Sequence, residues 1–94
     1  MPIQVRSDNK PTAQVHGINI SPNPASDFLT VSCENFDVHT RFRLIDMVGR
    51  VWLDMPVTQN VETIELKGCV PGIYFAQILN GERLIATPKV IITR

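Results

Sequence analysis

The sequence predicts an all-β fold, a seven-stranded antiparallel β-sandwich, on two observations. Short segments rich in Val, Ile, Phe and Thr recur from residue 17 onward. They are separated by Gly, Pro, Asn and Asp at the roughly ten-residue spacing of sandwich strands. No window of helical length carries an apolar stripe at i, i+3 and i+4 without a Pro or Gly inside it. Both observations favour a sandwich over a helical fold.

The chain length of 94 residues fits one domain built around one core. The hydrophobic fraction of 44% is that of a globular protein, and the formal net charge of +0 provides no field that would attract a polyanion. Nucleic acid is therefore not an expected partner. No apolar run approaches the roughly 20 residues that cross a bilayer, so we expect a protein that does not span a membrane.

Residues 1–16 mix polar and charged side chains with Pro2 and Pro11 and follow neither the helix period nor the strand period. A stretch of this kind is typical of a linker or flexible leader. The folded domain is therefore expected over residues 17–94. The first residues lack the apolar stretch of a signal peptide, which would place any export signal on a longer precursor.

Seven strands are predicted from the apolar segments. Leu29, Val31 and Cys33 alternate with polar residues, so one face of that strand is expected to point into the core. The segment 72–79 is apolar at nearly every position, which is typical of a strand in the middle of a sheet. The predicted strands are 17–20, 27–34, 40–46, 50–54, 61–66, 72–79 and 83–93, the last with a break at Pro88.

Turn residues support the same strands. Asn80-Gly81 between two apolar runs predicts a two-residue hairpin of type I′. The segment 46–50 predicts a longer hairpin, in which the Asp46 carboxylate accepts turn N–H groups and Gly49 takes a positive φ. The prolines of 21–27 predict a rigid corner where the chain leaves the sheet. Pro88 predicts an edge strand or a bulge, because proline cannot donate to a ladder.

No motif in the sequence carries catalytic chemistry. There is no G-x-S-x-G, glycine-rich phosphate loop, H-E-x-x-H or EF-hand spacing, so we expect neither an enzyme nor a cofactor. The two His and two Cys lack metal-site spacing, so no metal is expected. Cys33 is expected to be a small buried hydrophobe and His39 a surface residue. Asp46 and Arg50 are expected to serve their turn, and Tyr74 to be buried with its hydroxyl bonded.

The final segment, KVIITR at 89–94, is an apolar run with a base at each end. Two readings are open. The first is an edge strand whose charges discourage stray pairing, with strand-mediated self-association left open. The second is a displayed strand or terminus that a partner captures by strand addition or carboxylate capture.

Four segments together carry a family resemblance: ISPNPASD at 20–27, LIDMVGR at 44–50, GIY at 72–74 and KVIITR at 89–94. In this order they resemble the C-terminal sorting domain of cargo proteins of the type IX (Por) secretion system of Bacteroidetes. The resemblance implies a seven-stranded Ig-like antiparallel β-sandwich. It implies structural roles for Pro22, Asn23, Pro24, Asp46, Gly49, Arg50, Gly72 and Tyr74, and recognition through Lys89, Val90, Ile91, Ile92, Thr93 and Arg94.

The resemblance also implies partners and a destination. An upstream cargo domain would be covalently attached, an outer-membrane translocon would read the sandwich, and a sortase-like protease would cut within residues 1–16. The cargo would pass through the periplasm and then be released or anchored to lipopolysaccharide at the cell surface.

Two positions depart from the family pattern, which more often has Lys where this chain has Arg94 and Leu where it has Cys69. Cys69 therefore looks like a core substitute, which weakens the case for a disulfide with Cys33. The alternative function is an Ig-like adhesion or carbohydrate-binding module, since this fold serves many functions. Trp52 and Phe28 are the candidates for its exposed aromatic platform.

Overall fold

The computed structural model describes residues 17–93, so the predicted leader over residues 1–16 and Arg94 lie outside the described residues. Two antiparallel sheets pack face to face, which confirms the all-β sandwich. The described strands are β1 (Ile18–Ser21), β2 (Phe28–Cys33), β3 (Thr40–Asp46), β4 (Val51–Pro56), β5 (Val61–Glu65), β6 (Gly72–Asn80), β7 (Arg83–Ala86) and β8 (Lys89–Ile92).

One sheet has three strands in the order β1-β2-β5, and the other has five, with β4-β3-β6 followed by β7 and β8. The structure has eight strands where the sequence predicted seven, because the last predicted strand is interrupted. β7 pairs with the end of β6 and β8 with its beginning, so both lie along the same edge of β6. Pro88 stands at the interruption and still accepts a hydrogen bond from the Ala76 N–H at 2.9 Å. The predicted break at Pro88 is confirmed.

Alternating side chains fill the space between the sheets. Leu29 and Val31 of β2 belong to the same buried cluster as Phe42 and Leu44 of β3, and all four are 0% exposed. β6 has neighbours on both edges, β3 on one and β7 with β8 on the other, which confirms its central position. The buried hydrophobic core comprises Ile18, Ile20, Ala25, Leu29, Val31, Cys33, Phe42, Leu44, Val57, Ile64, Leu66, Cys69, Tyr74, Ala76, Ile78, Ala86, Val90 and Ile92.

The predicted hairpin after β6 is present, but its two loop residues are Gly81 and Glu82, one position later than expected. Asn80 remains in the ladder opposite Arg83. Gly81 has a φ of 63°, so the glycine occupies the first loop position, where both favoured two-residue turns require a positive φ. The Asn80 side chain donates to Asp37 instead of shaping the turn.

The proline-rich corner after β1 crosses from the three-stranded sheet to the outer edge of β8. The Asn23 side chain donates from Nδ2 to the Lys89 carbonyl at 2.9 Å and accepts at Oδ1 from the Ile91 N–H at 3.0 Å. Two residues later, the Ala25 N–H donates to the Ile91 carbonyl, and the Thr93 N–H donates to the Ala25 carbonyl, both at 2.8 Å. We call this set of contacts the Asn23 clasp.

The Asn23 clasp does for β8 what another strand would do. The side-chain amide of Asn23 presents one donor and one acceptor, as a peptide unit does. Ala25 then extends the pairing by forming a parallel bridge with Ile92. The Ala25 side chain is 1% exposed, so the corner is also anchored in the core. The outward backbone groups from the Lys89 carbonyl to the Thr93 N–H are therefore bonded. The edge of β8 is not displayed in the manner that strand addition requires.

Replacing Asn23 with Ala should remove both side-chain bonds and lower the free energy of unfolding by about 1–2 kcal/mol. The Ile91 amide should exchange with solvent faster, because its acceptor is the Asn23 oxygen. Amide hydrogen exchange and chemical denaturation measure the two effects. Asn19→Ala, at an exposed position of β1, is the matched control. Unchanged exchange at Ile91 in Asn23→Ala would contradict the clasp.

Candidate functional site

The four sequence motifs that carry the family resemblance lie side by side in the fold. Asp46 of β3 is opposite Tyr74 of β6, and Tyr74 is opposite Val90 of β8. The Asn23 clasp then covers the far edge of β8. Motifs separated by as many as 68 residues thus form one row across the end of the five-stranded sheet.

The Asp46 carboxylate organises the turn between β3 and β4. Its Oδ1 accepts the N–H groups of Val48 at 3.0 Å and Arg50 at 2.9 Å, while Oδ2 accepts the Trp52 indole N–H at 3.0 Å. Gly49 takes a φ of 89°, the left-handed conformation that this turn needs. Both expectations for the segment 46–50 are confirmed.

These hydrogen bonds lower the pKa of the Asp46 carboxyl from its ordinary value of 3.8. The Trp52 indole contributes most, followed by the Arg50 and Val48 N–H groups, and burial opposes them. The Arg50 guanidinium adds an ion pair, with Nε 3.3 Å from Oδ2, although the Arg50 side chain is 69% exposed. An ion pair so exposed contributes little to stability. Asp46 is therefore a turn-forming residue that is held ionised at neutral pH.

A stack of side chains connects the turn to the centre of the sheet. The Arg50 guanidinium lies over the Trp52 ring, 5.7 Å from its centroid. Trp52 meets Tyr74 edge to face, with ring centroids 5.9 Å apart and an interplanar angle of 83°. Both arrangements are favourable geometries for aromatic rings. The stack fixes the turn at 46–50 against β6.

Tyr74 lies at the base of this stack and is 2% exposed. Its hydroxyl donates to the Val70 carbonyl, which satisfies the polar end of a buried ring. The expectation of a buried tyrosine with a bonded hydroxyl is confirmed. Gly72 begins the same strand opposite Ile92, the last residue of β8.

The side chains of the final segment alternate between pointing into the core and pointing outward. Val90 and Ile92 are each 1% exposed and belong to the core. Lys89, Ile91 and Thr93 point outward and are exposed. Of the predicted recognition residues, only these three described ones offer side chains to a partner while the domain stays folded.

The sequence did not predict that Trp52, Val70 and Ala25 would belong to this region. Trp52 was the residue most open to prediction, because it follows Arg50 on the returning strand of a hairpin that begins at Asp46. A tryptophan in that place lies within reach of the Asp46 side chain across the turn. Val70 and Ala25 contribute backbone carbonyl and N–H groups, which leave no signature in the side-chain pattern.

The residues proposed for a carbohydrate platform do not form one. Trp52 is half-buried in the five-stranded sheet, with its ring between Arg50 and Tyr74. Phe28 lies on β2 in the other sheet. The two aromatic rings cannot present a common surface to a sugar, and the carbohydrate-binding alternative is not favoured.

The remaining polar candidates behave as structural residues. Cys33 and Cys69 are buried cysteines that form no disulfide, which confirms the expectation that each is a small core residue. Burial raises the pKa of the Cys33 thiol, so little reactive thiolate forms. His39 is exposed at the start of β3, as expected. Residues 17–93 contain no cluster of three or more potential metal ligands, and no helix there is long and apolar enough to cross a membrane.

A small β-sandwich whose motifs converge on a clasped strand has the architecture of a structural module. The family model of the secretion system C-terminal sorting domain matches residues 19–93, which is most of the chain. The chain belongs to this family and is a C-terminal sorting signal for type IX secretion. No curated protein matches it. Membership implies contact with the type IX machinery and export through the periplasm to the cell surface or beyond.

Replacing Tyr74 with Ala should lower the free energy of unfolding by about 3–5 kcal/mol, because it empties a fully buried aromatic site. Tyr74→Phe should cost about 1 kcal/mol, since the hydrogen bond to Val70 is lost while the ring remains in place. Phe28→Ala, at an aromatic ring that is 49% exposed, is the control and should cost much less than Tyr74→Ala. Chemical denaturation measures all three. A Tyr74→Ala variant as stable as the wild type would contradict the placement of this ring.

The stability difference between wild type and Asp46→Asn should depend on pH. The pKa of Asp46 is lower in the folded protein than in the unfolded chain. Ionisation of this carboxyl therefore stabilises the fold at any pH above the pKa that it has in the unfolded chain. That advantage should be complete near pH 6 and should shrink as the pH falls below about 4 toward the folded pKa. Thermal melts of both proteins between pH 3 and pH 7 measure it. A difference that stays constant or grows toward acid pH would contradict the assignment.

Proposed function

We propose that the type IX translocon reads this domain as a folded sandwich, through the outward side chains of β8. The convergence of the four motifs on β8 carries the proposal. Lys89, Ile91 and Thr93 are held in a fixed geometry by β6 on one side and by the Asn23 clasp on the other. Val90 and Ile92 contribute through the core, and Arg94 completes the recognised segment.

In this proposal a sortase-like protease cuts within residues 1–16, ahead of the sandwich. The upstream cargo is then released or anchored to surface lipopolysaccharide, so its destination is the outer membrane, the cell surface or the medium. A leader without strand or helix periodicity supports the placement of the cut, because proteases act on extended segments at the ends of domains.

The domain is proposed to act without catalysis. The family is one of secretion signals. The polar side chains of the described row are engaged in structural bonds: Asp46 with its turn, Tyr74 with Val70, and Asn23 with β8. Groups committed in this way serve shape and stability rather than proton transfer to a substrate.

Lys89→Ala tests whether the type IX translocon recognises the outward side chains of β8. The full chain is fused behind a periplasmic reporter in a bacterium that carries the type IX system, and the reporter is measured in medium, surface and periplasmic fractions. Lys89→Ala should leave the melting temperature nearly unchanged, since surface substitutions shift stability by at most about 0.5 kcal/mol. Export should fall sharply. The mass of the released reporter shows whether the cut lies within residues 1–16.

Lys67→Ala is the matched control, because Lys67 is an exposed lysine in the turn after β5. It should be exported like the wild type. Equal export of Lys89→Ala and Lys67→Ala would contradict recognition of the β8 side chains by the translocon. Deletion of residues 89–94 is a less useful test, because it also removes the buried side chains of Val90 and Ile92.

A further inference from the structure

The structure of the end of the five-stranded sheet bears on how the machinery contacts this domain. We propose that the type IX machinery docks on an apolar surface formed by Met47, Val48, Val70, Ile73 and Ile91, which we call the terminal face. The occupant is a protein segment with apolar side chains and carboxylates at its rim. This inference rests on the proposed function and specifies where on the domain binding takes place.

The first step excludes strand addition at β8. Partners that add a strand bind to free N–H and C=O groups along an edge. On β8 the Lys89 carbonyl and the Ile91 N–H are bonded to Asn23, and the Ile91 carbonyl and Thr93 N–H are bonded to Ala25. A partner must therefore use side chains, unless it first displaces the clasp.

The second step follows the outward side chains of β8 onto β6. Ile91 is the register partner of Ile73, and such pairs project from the same face of a sheet. Ile91 is 36% exposed and Ile73 42% exposed, so neither is covered by the domain itself. The recognised strand is thus continuous with an apolar surface on β6.

The third step extends the surface to the turn at 46–50. Ile73 lines an open depression of about 320 Å³ together with Met47, Val48 and Val70. Met47 is 65%, Val48 81% and Val70 54% exposed. The terminal face therefore holds five of the ten large exposed hydrophobic residues found within residues 17–93. Concentration of exposed apolar side chains in one place is typical of a protein interaction site.

The fourth step is the charge at the rim, which indicates the chemistry of the occupant. Arg50 borders the depression with a largely exposed guanidinium. Lys89 is exposed and lies two residues from Ile91 on the same strand face. Asp46, the acidic residue that lines the depression, already accepts three hydrogen bonds. The rim thus has a surplus of positive charge, which favours carboxylates on the partner.

Two substitutions test the terminal face in the same reporter fusion of the full chain. Val48→Glu and Ile73→Glu each remove an apolar contact and place a carboxylate against an acidic partner. Each should reduce the exported reporter by about tenfold or more, which corresponds to the loss of one good contact, and the reporter should accumulate in the periplasm. Val48→Glu is the cleaner variant, because its side chain stands almost free in solvent at the tip of a turn.

Val61→Glu is the matched control, since Val61 is 53% exposed on β5 of the other sheet. It should be exported like the wild type. Melting of the purified chains checks that Val48→Glu stays folded. Normal export of both Val48→Glu and Ile73→Glu, in an assay that exports the wild-type fusion and retains Lys89→Ala, would contradict docking on the terminal face. The proposed sorting function would be unaffected by that result. A wild-type fusion that is not exported would instead contradict the proposed function.

Two further measurements decide between occupants. Sedimentation of the purified chain should show a monomer, whereas a dimer that Ile73→Glu dissociates would assign the face to a second copy and overturn the proposal. Asn23→Ala should be exported no better than the wild type. Higher export of this variant would show that the machinery binds the opened edge of β8, which would contradict docking on the terminal face.

Discussion

The structure depends on how the outer edge of β8 is closed. β8 spans only Lys89–Ile92, and it has one ladder neighbour, β6. A strand so short and placed at an edge would fray, yet two of its side chains lie in the core. The amide of Asn23 supplies the hydrogen bonds that a second neighbour would provide, and Ala25 continues them. The family motif at 20–27 and the segment at 89–94 are therefore one structural unit.

A second constraint acts from the opposite side of the same row. Asp46 binds three donors, and the third of them, the Trp52 indole, draws that ring over Tyr74. The tyrosine lies on β6 directly beside β8, in register with Val90. The turn at 46–50 and the clasp thus hold the same part of the sheet from two directions. This arrangement explains why the resemblance is carried by residues that look unrelated along the chain.

Local chemistry made much of the fold predictable. Alternation in β2 identified which of its residues face the core, because a half-buried strand requires it. Asp46 and Gly49 specified their turn down to the hydrogen bonds, since a short polar side chain and a positive φ act within a few residues. The hairpin after β6 was placed one residue early, because Asn80 and Gly81 both suit such turns and only the ladder register decides between them.

What could not be predicted depends on contacts distant in sequence. Nothing near Asn23 indicates that its amide will meet β8, because the partner residues lie 66 and 68 positions away. Trp52 was considered a surface aromatic because its ring partner, Tyr74, comes from β6, and no local pattern indicates that contact. The terminal face is likewise assembled from a turn, a loop and two strands. Its apolar residues appear scattered until the sheet register is known.

The burial of the two thiols affects how the domain withstands passage through the periplasm. The periplasm is an oxidising compartment in which exposed thiols form disulfides. Cys33 and Cys69 lie in the core at 5% and 3% exposure, out of reach of oxidants and of other chains. Only unfolding would expose them to mispairing. The core that holds the two sheets together thus also shields both thiols from oxidants.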